Sequence, residues 1–491
     1  MSTATRPVDS DGHPYNRTLL IIVMLIGAFC TILNQTLLAT ALPDIMKDFH
    51  ITASSGQWLT TAFLLMNGIM IPVTALLINK FSSKWLYILS MTIFLIGTIL
   101  AAVAPNFSIL LLGRIVQASG AGIMMPLMQT IFLLIFPREK RGIAMGLVGL
   151  VIMFAPAIGP TLSGWIVDSY SWRDLFYMII PITVAVIILA LFAMKKVVQL
   201  TSPKIDYLSI ILSTTGFGGL LYGFSEVGND GWSSFTVIFW LIVGVIFVGL
   251  FIWRQLAIKE PMLELRVFKS PIFALSVIIS SFVMMAMIGA ELVLPLYIQN
   301  IRGESALHSG LMLLPGALVM CFMSPITGII FDRIGARKLA IAGITVLTAG
   351  TLPFMFLTNH TSITSIVIFY AIRFLGISMV MMPITTAGMN ALPNTMMSHG
   401  SAVNNTIRTV AGSIGTAILI SVLTNVTKTD KPHADLRTTD PVQYGHKMID
   451  AALNGMNAAF LVAVCFCLLT LLLTFFIQGK RKAATSKSTA Q

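Results

Sequence analysis

The chain has 491 residues, of which 56% are hydrophobic and only 10% charged, well under half the charged fraction of a soluble domain. A soluble globular enzyme is excluded, and so is a disordered chain, which would be poor in large apolar residues such as the 29 Met and 30 Phe found here. The formal charge of +12 invites a nucleic-acid partner, and only the placement of the charges decides that question.

Residues 1–17 are polar, and the apolar run from Leu19 is too long for a signal-peptide core and lacks a small-residue cleavage site, so the segment reads as an uncleaved cytoplasmic tail. A bilayer core of about 30 Å needs about 20 apolar residues per helix. Fourteen stretches qualify: 18–41, 57–78, 86–104, 108–135, 142–167, 175–194, 207–225, 234–253, 271–298, 307–330, 338–357, 362–387, 401–425 and 455–478. The number is even, so both ends fall on one side. With the N-terminus inside, 21 Lys and Arg lie in cytoplasmic segments and 7 outside, four of these in the long connection 426–454. This bias places both termini in the cytoplasm. The surplus charge is topogenic, which removes the nucleic-acid partner. Only Arg114, Arg373 and Arg408 fall inside spans.

Cys30, Cys321, Cys465 and Cys467 sit in apolar stretches and read as packing thiols. The seven His lie in or near loops, which speaks against a metal centre, and no phosphate-binding GxxxxGK[ST] loop is present. No cofactor is expected, and the driving energy is expected from an ion gradient.

The chain repeats itself. After span 2 comes Asn79-Lys80-Phe81-Ser82-Ser83-Lys84, and after span 10 comes Phe331-Asp332-Arg333-Ile334-Gly335-Ala336-Arg337-Lys338, both tight basic turns. Two spans later Arg114 precedes Met124-Met125-Pro126, and Arg373 precedes Met381-Met382-Pro383. The order implies an all-α polytopic membrane protein built from two six-helix bundles, spans 1–6 and 9–14, with spans 7 and 8 inserted. The expected organisation is a tail at 1–17, a bundle at 18–200, the inserted pair and linker at 201–270, a bundle at 271–478 and a basic tail at 479–491. Internal repeats around a midplane site are what alternating-access transporters are made of.

Gly328-x-Ile330-x-Asp332-Arg333-x-Gly335-x-Arg337-Lys338 resembles the loop signature of the major facilitator superfamily, and Pro156-x-x-Gly159-Pro160-x-x-x-Gly164 resembles its antiporter signature. Arg114-x-x-Gln117-x-x-Gly120-x-Gly122, Trp172-Arg173 before span 6, Leu33-Asn34-Gln35-Thr36 through Ala41-Leu42-Pro43 and the fourteen spans narrow the resemblance. The chain is similar over essentially its whole length to the drug:proton antiporters that include quaternary-ammonium and lincomycin exporters. The resemblance implies a bacterial plasma-membrane transporter, not an enzyme, that exports small lipophilic compounds in exchange for protons; the alternative is the same fold exporting a physiological lipid, nucleotide or metabolite.

Each motif has a physical role. Asp332 closes span 10 beside the start of span 11, where the helix dipole and Arg333 and Arg337 favour a carboxylate; with Gly335 and Arg373 this forms an expected conformational clamp. The alternative is a topogenic turn alone. The first-half copy departs from the pattern, with Asn79 for the acid and Ser82 for the glycine, so the second-half clamp is expected to dominate. In span 5, Ala155, Gly159 and Ser163 stack every four residues and admit a close neighbour, and Pro156 and Pro160 break backbone hydrogen bonds. The alternatives are an antiport device or simple tight packing.

Charges inside the bilayer cost about 3 kcal/mol or more and persist mainly for a purpose. Glu291 is the only carboxylate deep in a predicted span, while Glu226 ends span 7. The first-helix carboxylate usual in the resembling family is absent, Asn34 standing in its place. Proton coupling is therefore expected at Glu291, on the repeat-equivalent span 9, with Arg114 assisting. The alternative for Glu291 is a structural hydrogen bond. Arg373 repeats Arg114 in span 12, and Arg373 and Arg408 either act in the interior or snorkel to phosphate.

The expected substrate cavity comprises Asn34, Gln35, Trp58, Phe63, Met66, Met124, Met128, Met382, Asn404 and Asn405, where flexible thioethers suit many shapes. Core packing is the alternative for each Met. A lone cavity acid favours cationic or neutral lipophilic compounds. Membrane lipid is the surrounding partner, and the chain is expected to act as a monomer.

Overall fold

A computed structural model describes residue 12 and residues 14–201, 205–433, 436 and 439–477; the side chains of residues 39, 40, 53, 54, 153, 157, 160, 168, 290, 306 and 307 fall outside the description. The tail at 479–491 and most of 1–17 also lie outside the described residues. Fourteen described helices are long and apolar enough to cross a membrane. In chain order they are α1 (Arg17–Phe49), α2 (Ala53–Lys80), α3 (Ser83–Ala102), α4 (Phe107–Ile135), α5 (Arg141–Ser169), α6 (Asp174–Ala193) and α7 (Tyr207–Asp230). They continue as α8 (Phe235–Ala257), α9 (Pro271–Leu296), α10 (Ala306–Ile334), α11 (Ala336–Thr351), α12 (Ile363–Asn390), α13 (Met397–Thr429) and α14 (Pro441–Thr474).

Local chemistry sets many of the starts. Asn16, Thr52, Ser82, Asn106, Asp206, Ser270, Ser305 and Asp440 each accept a backbone amide of the first turn they precede, satisfying donors that helix geometry leaves unpaired. Between α10 and α11 a single residue, Gly335, makes the turn at φ +82°, a region that disfavours any side chain. The equivalent turn between α2 and α3 uses two residues, Phe81 and Ser82, both at negative φ. Ser82 therefore needs no glycine there and caps α3 instead.

Helices outrun their apolar segments. α1 continues to Phe49, and most of the connection expected at 426–454 is helical, α13 reaching Thr429 and α14 starting at Pro441. Hydropathy marks only the apolar part of a helix, whereas backbone hydrogen bonding continues through polar turns. Asn454 Nδ2 donates to Asp430 Oδ2 at 2.8 Å and ties the two extensions together.

The two halves repeat one packing pattern. α3 packs on α4, α2 on α4 and α1 on α5, as α11 packs on α12, α10 on α12 and α9 on α13. The inserted α7 and α8 form a hairpin, pinned at its base by a bidentate pair from Arg254 to Asp206 at 2.8 and 2.9 Å. α7 spans the seam between the halves: Tyr222 stacks on Trp58 of α2 with ring centroids 5.7 Å apart, and Trp232, just past the helix, donates to Ser421 of α13 at 2.7 Å.

An even number of crossings puts the start of α1 and the end of α14 on one face, here the terminal face. On the opposite face, Asp48 near the end of α1 accepts from Arg173 at 2.7 Å and from the Trp172 indole at 3.1 Å. These hydrogen bonds hold its carboxyl below the usual range.

Candidate functional site

Arg114 is fully buried and ties four helices together. Its guanidinium donates to the backbone carbonyl and side-chain oxygen of Asn34 on α1, to the Leu59 carbonyl on α2 at 3.4 Å and to Gln117 Oε1 at 3.0 Å. It also lies 4.2 Å from the centre of the Phe63 ring. Gln117 carries the network to α3 through Thr98 Oγ1 at 2.9 Å. The buried charge is thus met by amides, carbonyls and a ring, while Nη2 has no partner. Asn34 and Phe63, expected in a substrate cavity, are 1% and 0% exposed and support Arg114 instead.

In the other half, Arg373 is also fully buried. It donates to Thr351 Oγ1 on α11 at 3.2 Å and to the Ala286 and Met287 carbonyls on α9, so it does not snorkel. Close glycine contacts fix the repeat register. Gly97 of α3 meets the backbone of Gly113 and Gln117, as Gly350 of α11 meets that of Phe369 and Arg373. Gly120 meets Ser90 and Phe94, as Gly376 meets Gly343 and Leu347. Arg373 is therefore the counterpart of Gln117, and its bond to Thr351 repeats that of Gln117 to Thr98. The counterpart of Arg114 is Tyr370, one turn earlier. This corrects the expectation that Arg373 repeats Arg114. The sequence held the signal, since Pro126 follows Arg114 by twelve residues and Pro383 follows Arg373 by ten.

Glu291 is exposed within the span of α9. Both Arg373 and Tyr370 of α12 are in electrostatic reach of it.

All the side-chain hydrogen bonds described between the two halves cluster toward the terminal face. α5 begins with no side-chain cap of its own, and Asp332 of α10 supplies one, accepting from the Gly142 and Ile143 amides at 2.9 and 3.2 Å. The acid thus caps the start of α5, in the opposite half. Arg333 and Arg337 are exposed. α13 likewise starts uncapped, and Asn79 of α2 accepts from Ser398 Oγ at 2.8 Å and pairs with His399 Nε2 at 3.0 Å. Asn79 and Asp332 are thus repeat-related fastenings. Arg141 donates to Asn390 at 3.0 Å and to Asn394 at 3.1 Å, and Gln129 of α4 accepts from Ser401 at 3.0 Å and Asn405 at 2.7 Å. Arg141, Gln129, Asn390 and Asn394 do not stand out in the sequence, because single polar residues at helix ends give no periodic signal.

The remaining expected residues fall as follows. Met124, Met128 and Met382 are at most 1% exposed and pack in the core, so in this conformation they line no cavity. Asn404 and Asn405 are buried at the same seam, Gln35 and Met66 are half-buried, and Trp58 is 38% exposed. On α5, Gly159 faces Thr36 of α1 and Ser163 donates to the Leu37 carbonyl, with Ala155 fully buried. Pro156 is half-buried; Gly164 faces open space, and the side chain of Pro160 lies outside the described residues.

A family model described as Major Facilitator Superfamily matches residues 24–416. The chain is 57% identical over 471 residues, 96% of its own length and 97% of the other's, to the uncharacterized MFS-type transporter YcnB of Bacillus subtilis. It is 43% identical to the lincomycin resistance protein LmrB of Bacillus subtilis, covering 94% of this chain and 95% of that one. The multidrug export protein EmrB of Haemophilus influenzae is 28% identical over 82% of this chain and 79% of its own. Among solved structures, the human organic anion transporter MFSD10 superposes with a TM-score of 0.65 at 14% identity, over 93% of this chain and 99% of that one. The proton:xylose symporter XylE gives 0.62 at 12%, over 94% and 96%.

Proposed function

The chain belongs to the major facilitator superfamily and is a multi-pass membrane transporter, not an enzyme, and on that premise we propose that it exports lipophilic, cationic or neutral compounds in exchange for protons. The observation that carries this reading is Glu291, an exposed carboxyl in the interior of a span and in electrostatic reach of Arg373. A proton on Glu291 and a cation beside it compete for one negative charge, so occupancy by one disfavours the other. That exclusion is what obligatory exchange requires. Relatives named for lincomycin and multidrug resistance support the substrate class.

The Lys and Arg bias places the terminal face in the cytoplasm of a bacterial cell. The fastenings at Asp332, Asn79, Arg141 and Gln129 then close the cytoplasmic side, and this conformation faces outward. Rocking of the halves exchanges these contacts for others on the far side, with Arg114 and Arg373 keeping each bundle rigid. One chain forms the whole pathway.

The test is uptake of ethidium into proteoliposomes driven by an imposed pH gradient. Gradient-driven uptake that is lost in Glu291→Gln, with ethidium binding retained, is the expected result. Undiminished coupling in that variant removes Glu291 from the mechanism. No movement of ethidium or of other lipophilic cations by the intact protein replaces the drug-export reading with a narrower physiological cargo.

A further inference from the structure

Three arginines occupy the interior of the spans, and one of them is not fully buried. Arg114 and Arg373 are 0% exposed and held by carbonyls and polar side chains, each with one buried nitrogen left over, Nη2 and Nη1. Arg408 of α13 is half-buried, and its one described hydrogen bond runs from Nη2 to Asn405 Oδ1 at 3.1 Å. Nη1 has no partner, and no carboxylate among the described residues is paired with the guanidinium or in electrostatic reach of it. Beside it, Gln129 is 1% exposed, with its oxygen taken by Ser401 and Asn405 and its Nε2 unpartnered. Every unmet atom in this linked group is a donor.

The group lies at the junction of the halves. Ser401, Asn405, Arg408 and Gly412 follow one another at helical spacing along one stripe of α13. Its lower part meets Gln129 and the Pro126 carbonyl of α4, in the other half, and its upper part meets Met284 and Ile288 of α9. Arg408 thus sits at the junction of the halves, one turn above the Ser401 and Asn405 fastening. α9 and α13 cross the membrane in the same direction, and the level contact of Gly412 with Ile288 places the backbone of Glu291 about 10 Å further from the terminal face than that of Arg408.

A cation buried without a counter-charge is costly. An anionic group brought by a ligand removes that cost through charge-assisted bonds, which guanidinium makes in a fork that fits a carboxylate. We propose that Arg408, with Asn405 and Gln129, forms an anion-accepting subsite of the transport route, so that amphoteric compounds carrying a carboxylate are bound in preference to purely cationic ones. The proposal rests on the export reading above and narrows its substrate class: the cationic end faces Glu291 and the carboxylate faces Arg408.

The test compares two dyes that differ only in this group, a rhodamine with a free carboxylate and its methyl ester. Binding to the full chain in lipid nanodiscs is followed by fluorescence anisotropy. The expected result is roughly tenfold tighter binding of the free acid, the ratio one charge-assisted hydrogen bond supplies. That ratio falls to near one in Arg408→Gln and is partly kept in Arg408→Lys, with size-exclusion profiles confirming that both variants fold. Equal affinity of the two dyes for the intact protein overturns the subsite and leaves the unmet donors to water. A preference that survives Arg408→Gln, or binding of neither dye, also overturns it. Gradient-driven movement of the ester separates the two readings: movement without an acid preference leaves export standing and removes the subsite, and an Arg408-dependent preference without driven movement does the reverse.

Discussion

The carboxylate of Asp332 on α10 accepts the backbone amides of Gly142 and Ile143, and so one half of the molecule caps the first turn of a helix belonging to the other. A cap normally acts within one helix. Here it acts across the joint between the halves, which opens in the rocking proposed above, so its strength is expected to bias the balance between conformations.

Loss of that cap is therefore expected to open the terminal face. Removing a capping side chain costs about 1–2 kcal/mol, enough to shift a two-state equilibrium roughly five- to thirtyfold. Spin labels on the exposed ends of α5 and α10 should report a longer, broader distance distribution in Asp332→Ala than in the parent. An unchanged distribution would show that the joint is held elsewhere. Asp332→Asn should fall between, since an amide oxygen can still accept but carries no charge.

Gly146 faces the Ser324 carbonyl of α10, and a Cβ built there would lie 2.6 Å from that oxygen and 2.8 Å from the Pro325 Cα. Both are backbone atoms, which cannot rotate aside. Gly146→Ala is predicted to disfavour this conformation by about 1–3 kcal/mol, the usual cost of overpacking. Cysteine accessibility at the terminal face should rise accordingly. If alkylation rates there match those of the parent, the helices have room that this packing denies.

Asn34 provides the only side chain of α1 that Arg114 engages among the described residues. Asn34→Leu is predicted to strand the buried guanidinium and lower stability by about 2–3 kcal/mol, the value of a hydrogen bond to a charged group. Asn34→Asp keeps the acceptor and adds a counter-charge, so it should melt at or above the parent temperature. Thermal unfolding in detergent distinguishes them, and a leucine variant as stable as the parent would remove Asn34 from the network.

Asp206 is held down to a pKa of about 2 by its hydrogen bonds from Arg254, opposed by burial and helped by Ser209. The folded value lies below the unfolded one of about 3.9. Its stabilisation of the α7–α8 hairpin is thus present above about pH 4 and lost as the pH falls toward 2. Parent and Asp206→Asn should differ in melting temperature at pH 5–7 and converge near pH 2. A constant difference across that range would place the effect outside this ion pair.

Sequence by itself determined the fourteen spans, the repeat and the family, and singled out Glu291 and Asp332 as charged residues to place. Those features are set locally: lipid demands about 20 apolar residues per crossing, a lone acid stands out in such a stretch, and a one-residue glycine turn leaves its mark at Gly335. What only the tertiary structure decided is who meets whom. Asp332 caps α5 of the other half, Arg373 takes the place of Gln117 and not of Arg114, and Met124, Met128 and Met382 pack in the core. Each of these depends on how two helices far apart in sequence are rotated and shifted against one another. Small residues such as Gly97, Gly350, Gly142 and Gly328 set that register through backbone contact, and a glycine read in sequence does not say which helix it will touch.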